Sequence, residues 1–219
     1  MINMNEKFIY GIKELIERYP VLSACEKDIE NAYQIMVASF KNHGKLLIAG
    51  NGGSCADAQH IAGELMKGFK SNRKLTENQV NSFELISPEY GKIISEKLQQ
   101  GLPCIALTDH QALNTAFIND VQDGGLYTYA QQLNSLGDSK DIFLGISTSG
   151  NSKNVLYAAI TAKSKGLKVI GLTGIGGGEL VNIADVTIRV PVKETFMVQE
   201  LHLPIYHCLC LMLENEFFN

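Results

Sequence analysis

Several familiar signals are missing from this sequence. No apolar run approaches the roughly 20 residues that cross a bilayer. The opening segment MINMNEKFIYGIKELIERYP mixes acids and bases where a signal peptide would have a basic start and an apolar middle. The expectation is a soluble cytoplasmic protein with no membrane partner. Cysteine is sparse: Cys25, Cys55, Cys104, Cys208 and Cys210 form no C-x-x-C pair, and each sits among apolar or small residues. In such places reduced cysteine behaves as a small hydrophobe, so a disulfide framework is not expected. A basic surplus is also lacking. The formal net charge is -4, the isoelectric point is near 5.7, and the lysines and arginines are dispersed, which leaves no footprint for a nucleic-acid backbone. Low-complexity segments and internal repeats are absent as well.

What is present is enough apolar sequence, 45% of 219 residues, for one substantial core, so residues 1–219 are read as a single domain. Around Ile29, Ala32, Tyr33, Met36, Val37 and Phe40 the apolar residues recur at helical spacing, and the run stops at Asn42-His43-Gly44. Pro20 separates this helix from an earlier one, giving helices over 1–43. Five short apolar runs follow, at 45–49, 103–107, 142–146, 168–172 and 186–190, mostly separated by helical segments. That alternation predicts an α/β fold: a parallel five-stranded sheet flanked by helices in three layers, flavodoxin-like or Rossmann-like. Residues 70–101 are longer than a simple crossover requires and read as an insertion, with a helix over 89–100. The carboxyl end, 194–218, reads as a helix apolar on more than one side, buried in the core or against another subunit.

Ligands of open parallel sheets bind beyond the carboxyl ends of the strands, so the loops after Ala49, Ile146 and Leu172 are where chemistry is expected. An acidic chain that binds a small anion needs local donors. The run Gly145-Ile146-Ser147-Thr148-Ser149-Gly150-Asn151-Ser152 supplies them, placing four hydroxyls at one helix start, where free N–H groups and the helix dipole favour an anion. One hydroxyl there would be an ordinary cap; four point to a phosphate ester. Gly50-Asn51-Gly52-Gly53-Ser54 also joins a strand to a helix. It is not a dinucleotide fingerprint, since Cys55 stands where the third glycine belongs, and it lacks the G-K-[ST] of a P-loop. It is a tight turn that lets backbone approach a ligand, with Asn51 and Ser54 adding polar side chains. His60 and Glu64 are four apart on the helix that follows. His202 and His207 place imidazoles in an otherwise apolar segment, where burial is costly unless they are paired or functional.

Taken in order, GNGGSCADAQHIAGEL, GISTSGNS and QELHLPIYH resemble the phosphoheptose isomerase branch of the SIS (sugar isomerase) family, from about Ala38 to the carboxyl terminus apart from the inserted stretch. The resemblance implies conversion of sedoheptulose 7-phosphate to an aldose phosphate, D-glycero-D-manno-heptose 7-phosphate. It implies substrate contacts at Asn51, Gly52, Gly53, Glu64, Asn119, Asp120, Ser147, Thr148, Ser149, Ser152 and Gln199. It also implies a zinc cofactor with His60, Glu64, Gln199 and His207 as candidate ligands, Glu64 and His207 as the catalytic pair, and a homotetramer with sites shared between subunits. Moving a proton between neighbouring carbons through an enediol needs a base at carbon and an acid/base at oxygen, roles that suit Glu64 and His207.

Gln199 and His207 lie eight residues apart on a regular helix, about 12 Å, too far for one metal unless Pro204 bends the segment or another subunit intervenes. Where the family often carries arginine after the Glu64 helix, this chain reads Met66-Lys67-Gly68-Phe69-Lys70, and Lys67 and Lys70 are the cations at hand. Two alternatives stay open: a non-catalytic SIS protein that binds sugar phosphates as a regulator or a replication initiator as a scaffold, and an isomerase of another sugar phosphate.

Overall fold

The structure, a computed structural model, describes residues 4–219, with side chains from residue 11 onward. The expected helices over 1–43 are α1 (Met4–Arg18) and α2 (Glu26–Lys41), joined by the 3-10 turn Pro20–Cys25 with Pro20 in its first turn; residues 1–3 lie outside the described part. Five strands follow: β1 (Leu46–Gly50), β2 (Cys104–Ala106), β3 (Ile142–Ile146), β4 (Lys168–Gly174) and β5 (Val186–Val190). All pairs are parallel, in the order β2-β1-β3-β4-β5. The remaining helices are α3 (Gly53–Met66), α4 (Glu77–Ile86), α5 (Pro88–Ser95), α6 (Gln111–Asp120), α7 (Thr128–Leu136), α8 (Lys153–Ser164) and α9 (Thr195–Phe218).

Side chains alternate across the sheet, as the two-residue period of a strand demands. Leu46, Ile48, Ile142, Leu144, Ile170 and Leu172 face a core built with α2, α3 and α9. Leu47, Ala49, Phe143 and Val169 face a smaller core that holds Leu133 of α7 and Val155, Ala158 and Ala162 of α8. Burial on both faces explains why the strands read as continuous apolar runs.

The chain winds from β1 to β2 on one side, then crosses to β3 on the other. The loops after β1 and β3 therefore leave adjacent strands in opposite directions, and the crevice between them is the switch point where open α/β sheets bind ligands. Both loops singled out in the sequence emerge there.

The stretch 70–101 holds two helices where one was expected. α4 is opened by a capping box, Thr76 with Gln79, and α5 ends at Ser95, short of the expected 100. The two pack on each other as an arm. Leu85, Ile86, Tyr90, Ile93 and Ile94 are exposed, and an antiparallel bridge between Lys74 and Gln99 closes its base. The start of the stretch is core: Arg73 is fully buried.

α9 is 24 residues long and runs unbroken through Pro204. By length and apolarity it could span a bilayer, which the expectation of no long apolar run did not anticipate. However, 56% of its most apolar window is buried inside the domain. Val198, Ile205, Leu209, Met212 and Leu213 pack into the larger core, and α1 lies along it.

Candidate active site

At the switch point the serine loop is a rigid cup. Ser147 is buried at the end of β3, and its Oγ donates to Ser152 Oγ (3.0 Å) while accepting from Gly150 N (3.1 Å). Gly150 has φ +69 and lies so close to the loop after β4 that a side chain would strike the Gly177 carbonyl. Thr148 O accepts from Gly174 N, and Asn151 Oδ1 accepts from Glu179 N (2.9 Å each), which bolts the cup to that second loop. Ser152 is the residue at the N-cap of α8, yet its hydroxyl makes no capping bond; the side-chain Oδ1 of Asn154 accepts from Val155 N instead (3.0 Å). The hydroxyls are thus not consumed by helix capping. Ser149 is exposed and Thr148 half-buried, and the loop leads into the start of α8, an arrangement suited to a phosphate.

The glycine loop is tied to this cup. Asn51 and Asn154 exchange side-chain amide bonds (2.9 and 2.8 Å), and Gly50 O accepts from Tyr129 Oη (2.8 Å). Ser54 is buried at the start of α3. The Gln199 amide lies over Gly53, where a side chain on that residue would collide with it. Gln199 therefore joins Asn51, Gly52 and Gly53. Asn119 and Asp120 end α6, exposed and bonded to each other (2.9 Å), beyond β2 and so two strands from the serine loop.

A second cluster lies further along α3. His60 Nε2 is 3.4 Å from Glu64 Oε1 and 3.5 Å from His207 Nε2, bringing together residues that are remote in sequence. Lys67 Nζ reaches Glu64 Oε2 (3.2 Å), so Lys67 and not Lys70 stands beside the carboxylate. Lys70 lines, with Arg18 and His207, a groove of about 530 Å³ between α1 and α9. Burial holds the His207 imidazole below its ordinary pKa, helped by the neighbouring His60 and opposed by Glu64. Phe69 packs on the His207 ring at 5.3 Å.

Among the described residues, no three His, Cys, Asp or Glu side chains form a closed metal-binding group. The two separations from His60 Nε2 nevertheless equal the edges of a tetrahedron with bonds of about 2.1 Å, and two imidazoles and a carboxylate are zinc-type donors. The donor chemistry of His60, Glu64 and His207 fits the ion. Gln199 does not join them: α9 is continuous and Pro204 does not fold the two ends together.

Some functional neighbours escaped the sequence reading. Tyr206 and Asp57 stand inside quoted motifs, and Asp57, His60 and Glu64 share a helical face at i, i+3 and i+7, a spacing that could have drawn Asp57 in. Tyr206 Oη bonds both Asp57 Oδ1 and His60 Nδ1 (3.1 Å each). Burial raises the Asp57 carboxyl, against the pull of the Tyr206 hydroxyl and His60. Arg73 is the other. It donates to the Leu65 and Glu64 carbonyls at the end of α3 (2.7 and 3.1 Å) and to Glu214 on α9 (2.8 Å), fastening the helix that carries Glu64 to the one that carries His207.

A five-stranded parallel sheet with a hydroxyl-rich loop at its switch point is in keeping with the SIS domain class, and the SIS domain profile matches residues 7–98 and 96–174. The chain belongs, within that class, to the phosphoheptose isomerase family, and it is an isomerase. The phosphoheptose isomerase of Leptospira biflexa is 39% identical over 191 residues, 87% of this chain and 85% of that protein. The one from Helicobacter hepaticus is 41% identical over 188 residues, covering 86% of this chain and 82% of that protein. The solved phosphoheptose isomerase of Francisella tularensis superposes with a TM-score of 0.73 at 32% identity, over 98% of this chain and 100% of that one.

Proposed function

We propose that the protein interconverts sedoheptulose 7-phosphate and D-glycero-D-manno-heptose 7-phosphate through an enediol, with Glu64 moving the proton at carbon and His207 serving the neighbouring oxygens. The observation that carries the assignment is the meeting of Glu64, His60 and His207 from two helices at van der Waals to hydrogen-bond range, in a chain that also carries a hydroxyl-rich loop suited to a phosphate. Glu64 is half-buried, and its carboxylate can accept a carbon-bound proton and return it at the next carbon. His207, held largely neutral by burial, can pass a proton between the two oxygens as carbonyl and hydroxyl exchange places. Ser147, Thr148, Ser149 and Ser152 bind the phosphate and fix which end of the sugar faces the base. Asn51, Ser54, Asn119, Asp120 and Gln199 are the proposed contacts to the polyol chain. His60, Glu64 and His207 would hold zinc, which when bound polarises the carbonyl.

The active unit is a homotetramer whose sites combine two copies. From Gly53 to Glu64 is eleven residues of helix, about 16 Å at 1.5 Å per residue. An extended seven-carbon sugar phosphate spans only on the order of 10 Å at covalent bond lengths of about 1.5 Å. The serine cup of one chain therefore works with the Glu64 and His207 of another, which also accounts for Gln199 standing with the cup. The test is isomerisation of sedoheptulose 7-phosphate by the purified protein, beside ribulose and fructose phosphates and with a chelator or added zinc. Heptose-selective turnover is expected; phosphate-ester binding with no turnover on any sugar would sink the proposal in favour of a regulator.

A further inference from the structure

Asp57 and Tyr206 have no part in the chemistry above, yet they are fixed against it from both helices. Tyr206 is buried beside His207 on α9, and Asp57 lies one turn before His60 on α3. The Tyr206 hydroxyl sits 3.1 Å from Asp57 Oδ1 and 3.1 Å from His60 Nδ1, and the Tyr206 and His60 rings meet edge-on at 5.5 Å. A phenol has one proton. Tyr206 donates it to the carboxylate, so the contact with His60 closes only if Nδ1 carries a hydrogen and donates to the phenolic oxygen. A neutral imidazole has a single N–H, which leaves Nε2 as a bare lone pair. That lone pair is the atom 3.4 Å from Glu64 and 3.5 Å from His207.

We propose that Asp57 and Tyr206 are positioning residues that lock His60 in its Nδ1–H tautomer, so that its Nε2 is presented unprotonated to the point shared with Glu64 and His207. The bare His60 Nε2 and the Glu64 carboxylate oxygen 3.4 Å from it repel one another unless a cation lies between them. Fixing the tautomer therefore prepares that point to receive a divalent metal, and it raises the basicity of His60 through the hydrogen bond on the far side of its ring. The importance of this for turnover rests on the function proposed above; the tautomer itself does not.

The experiment is a long-range proton–nitrogen NMR correlation of the histidine rings in metal-free protein, for the wild type, Tyr206→Phe and Asp57→Asn. Phenylalanine keeps the buried ring and the edge contact, so Tyr206→Phe isolates the hydroxyl. Wild-type His60 is expected as the Nδ1–H form, with Tyr206→Phe shifting it to the Nε2–H form or a mixture. Titration with zinc chloride alone should show affinity falling about 10–100-fold in Tyr206→Phe. An Nε2–H tautomer in the wild type would mean that Asp57 keeps its proton and the chain of donors runs the other way, which overturns the proposal. So would an unchanged tautomer in Tyr206→Phe. A wild type inactive on every sugar phosphate but with His60 in the Nδ1–H form would remove the functional reading and leave this inference standing.

Discussion

Glu64 is asked to do the most demanding single task, and its side chain can be altered with little change of shape. Glu64→Gln keeps volume and one oxygen but cannot accept a proton from carbon. Turnover is expected to fall by about 10²–10⁴-fold, the usual contribution of a positioned base, while sugar-phosphate binding measured by calorimetry persists. Loss of binding with unchanged turnover per bound complex would contradict the role. The serine cup should show the opposite split. A hydrogen bond to a charged group contributes about 1.5–3 kcal/mol, so Thr148→Val is expected to raise KM roughly 10–100-fold with a small effect on kcat. Equal loss in both constants would place Thr148 elsewhere in the reaction. At this scale the sequence was informative where several polar residues shared a short run, as in the serine cup and the His60 and Glu64 pair. It was silent on Tyr206, whose role depends on a hydroxyl meeting another helix across the core.

Between elements, the decisive link is Arg73 with Glu214. The Glu214 carboxylate is 1% exposed and accepts from Phe69, Lys70 and Ser71 N as well as Arg73 Nε. Burial alone would raise its pKa, but these four donors outweigh it and hold the carboxyl below its ordinary value of 4.5. A carboxylate with a depressed folded pKa adds stability that is complete above the unfolded value and is lost as pH falls through the folded one. The melting temperature should therefore decline below about pH 4.5 in wild type, with a shallower decline in Glu214→Gln. At neutral pH that variant is expected to lose about 3–5 kcal/mol, since it strands a buried guanidinium. A variant matching wild type in chemical denaturation at pH 7 would show the pair to be dispensable.

This link also explains why elements were read unevenly from sequence. β3 and β5 fell on their expected residues because apolar runs bounded by polar turns leave little choice of ends. The arm of α4 and α5 was read poorly because no α4 residue is buried, and without a core-facing stripe helical periodicity has nothing to mark. Arg73, in a polar stretch, read as part of an insertion, whereas its burial depends on a partner 141 residues away.

For the whole molecule, the proposed reaction needs the serine cup and the pair Glu64 and His207 at one substrate, although about 16 Å of helix separates them within one chain, and the exposed apolar side of the α4–α5 arm is a surface that assembly could cover. Complementation tests the arrangement directly. Glu64→Gln disables the acid/base half and leaves the cup; a Ser147→Ala, Ser149→Ala double variant disables the cup and leaves the acid/base half. If each site draws its halves from two chains, random co-assembly of the two variants gives about one site in four both intact halves, and about a quarter of wild-type activity returns. If each chain carries its own complete site, every site contains one defect and co-expression restores nothing. Sedimentation of the co-expressed sample fixes the oligomer in which activity resides: recovered activity should travel with a tetramer. Wild-type activity that travels with a monomer fraction would instead show that the helix carrying Glu64 and the cup approach each other within one chain more closely than about 16 Å of helix permits.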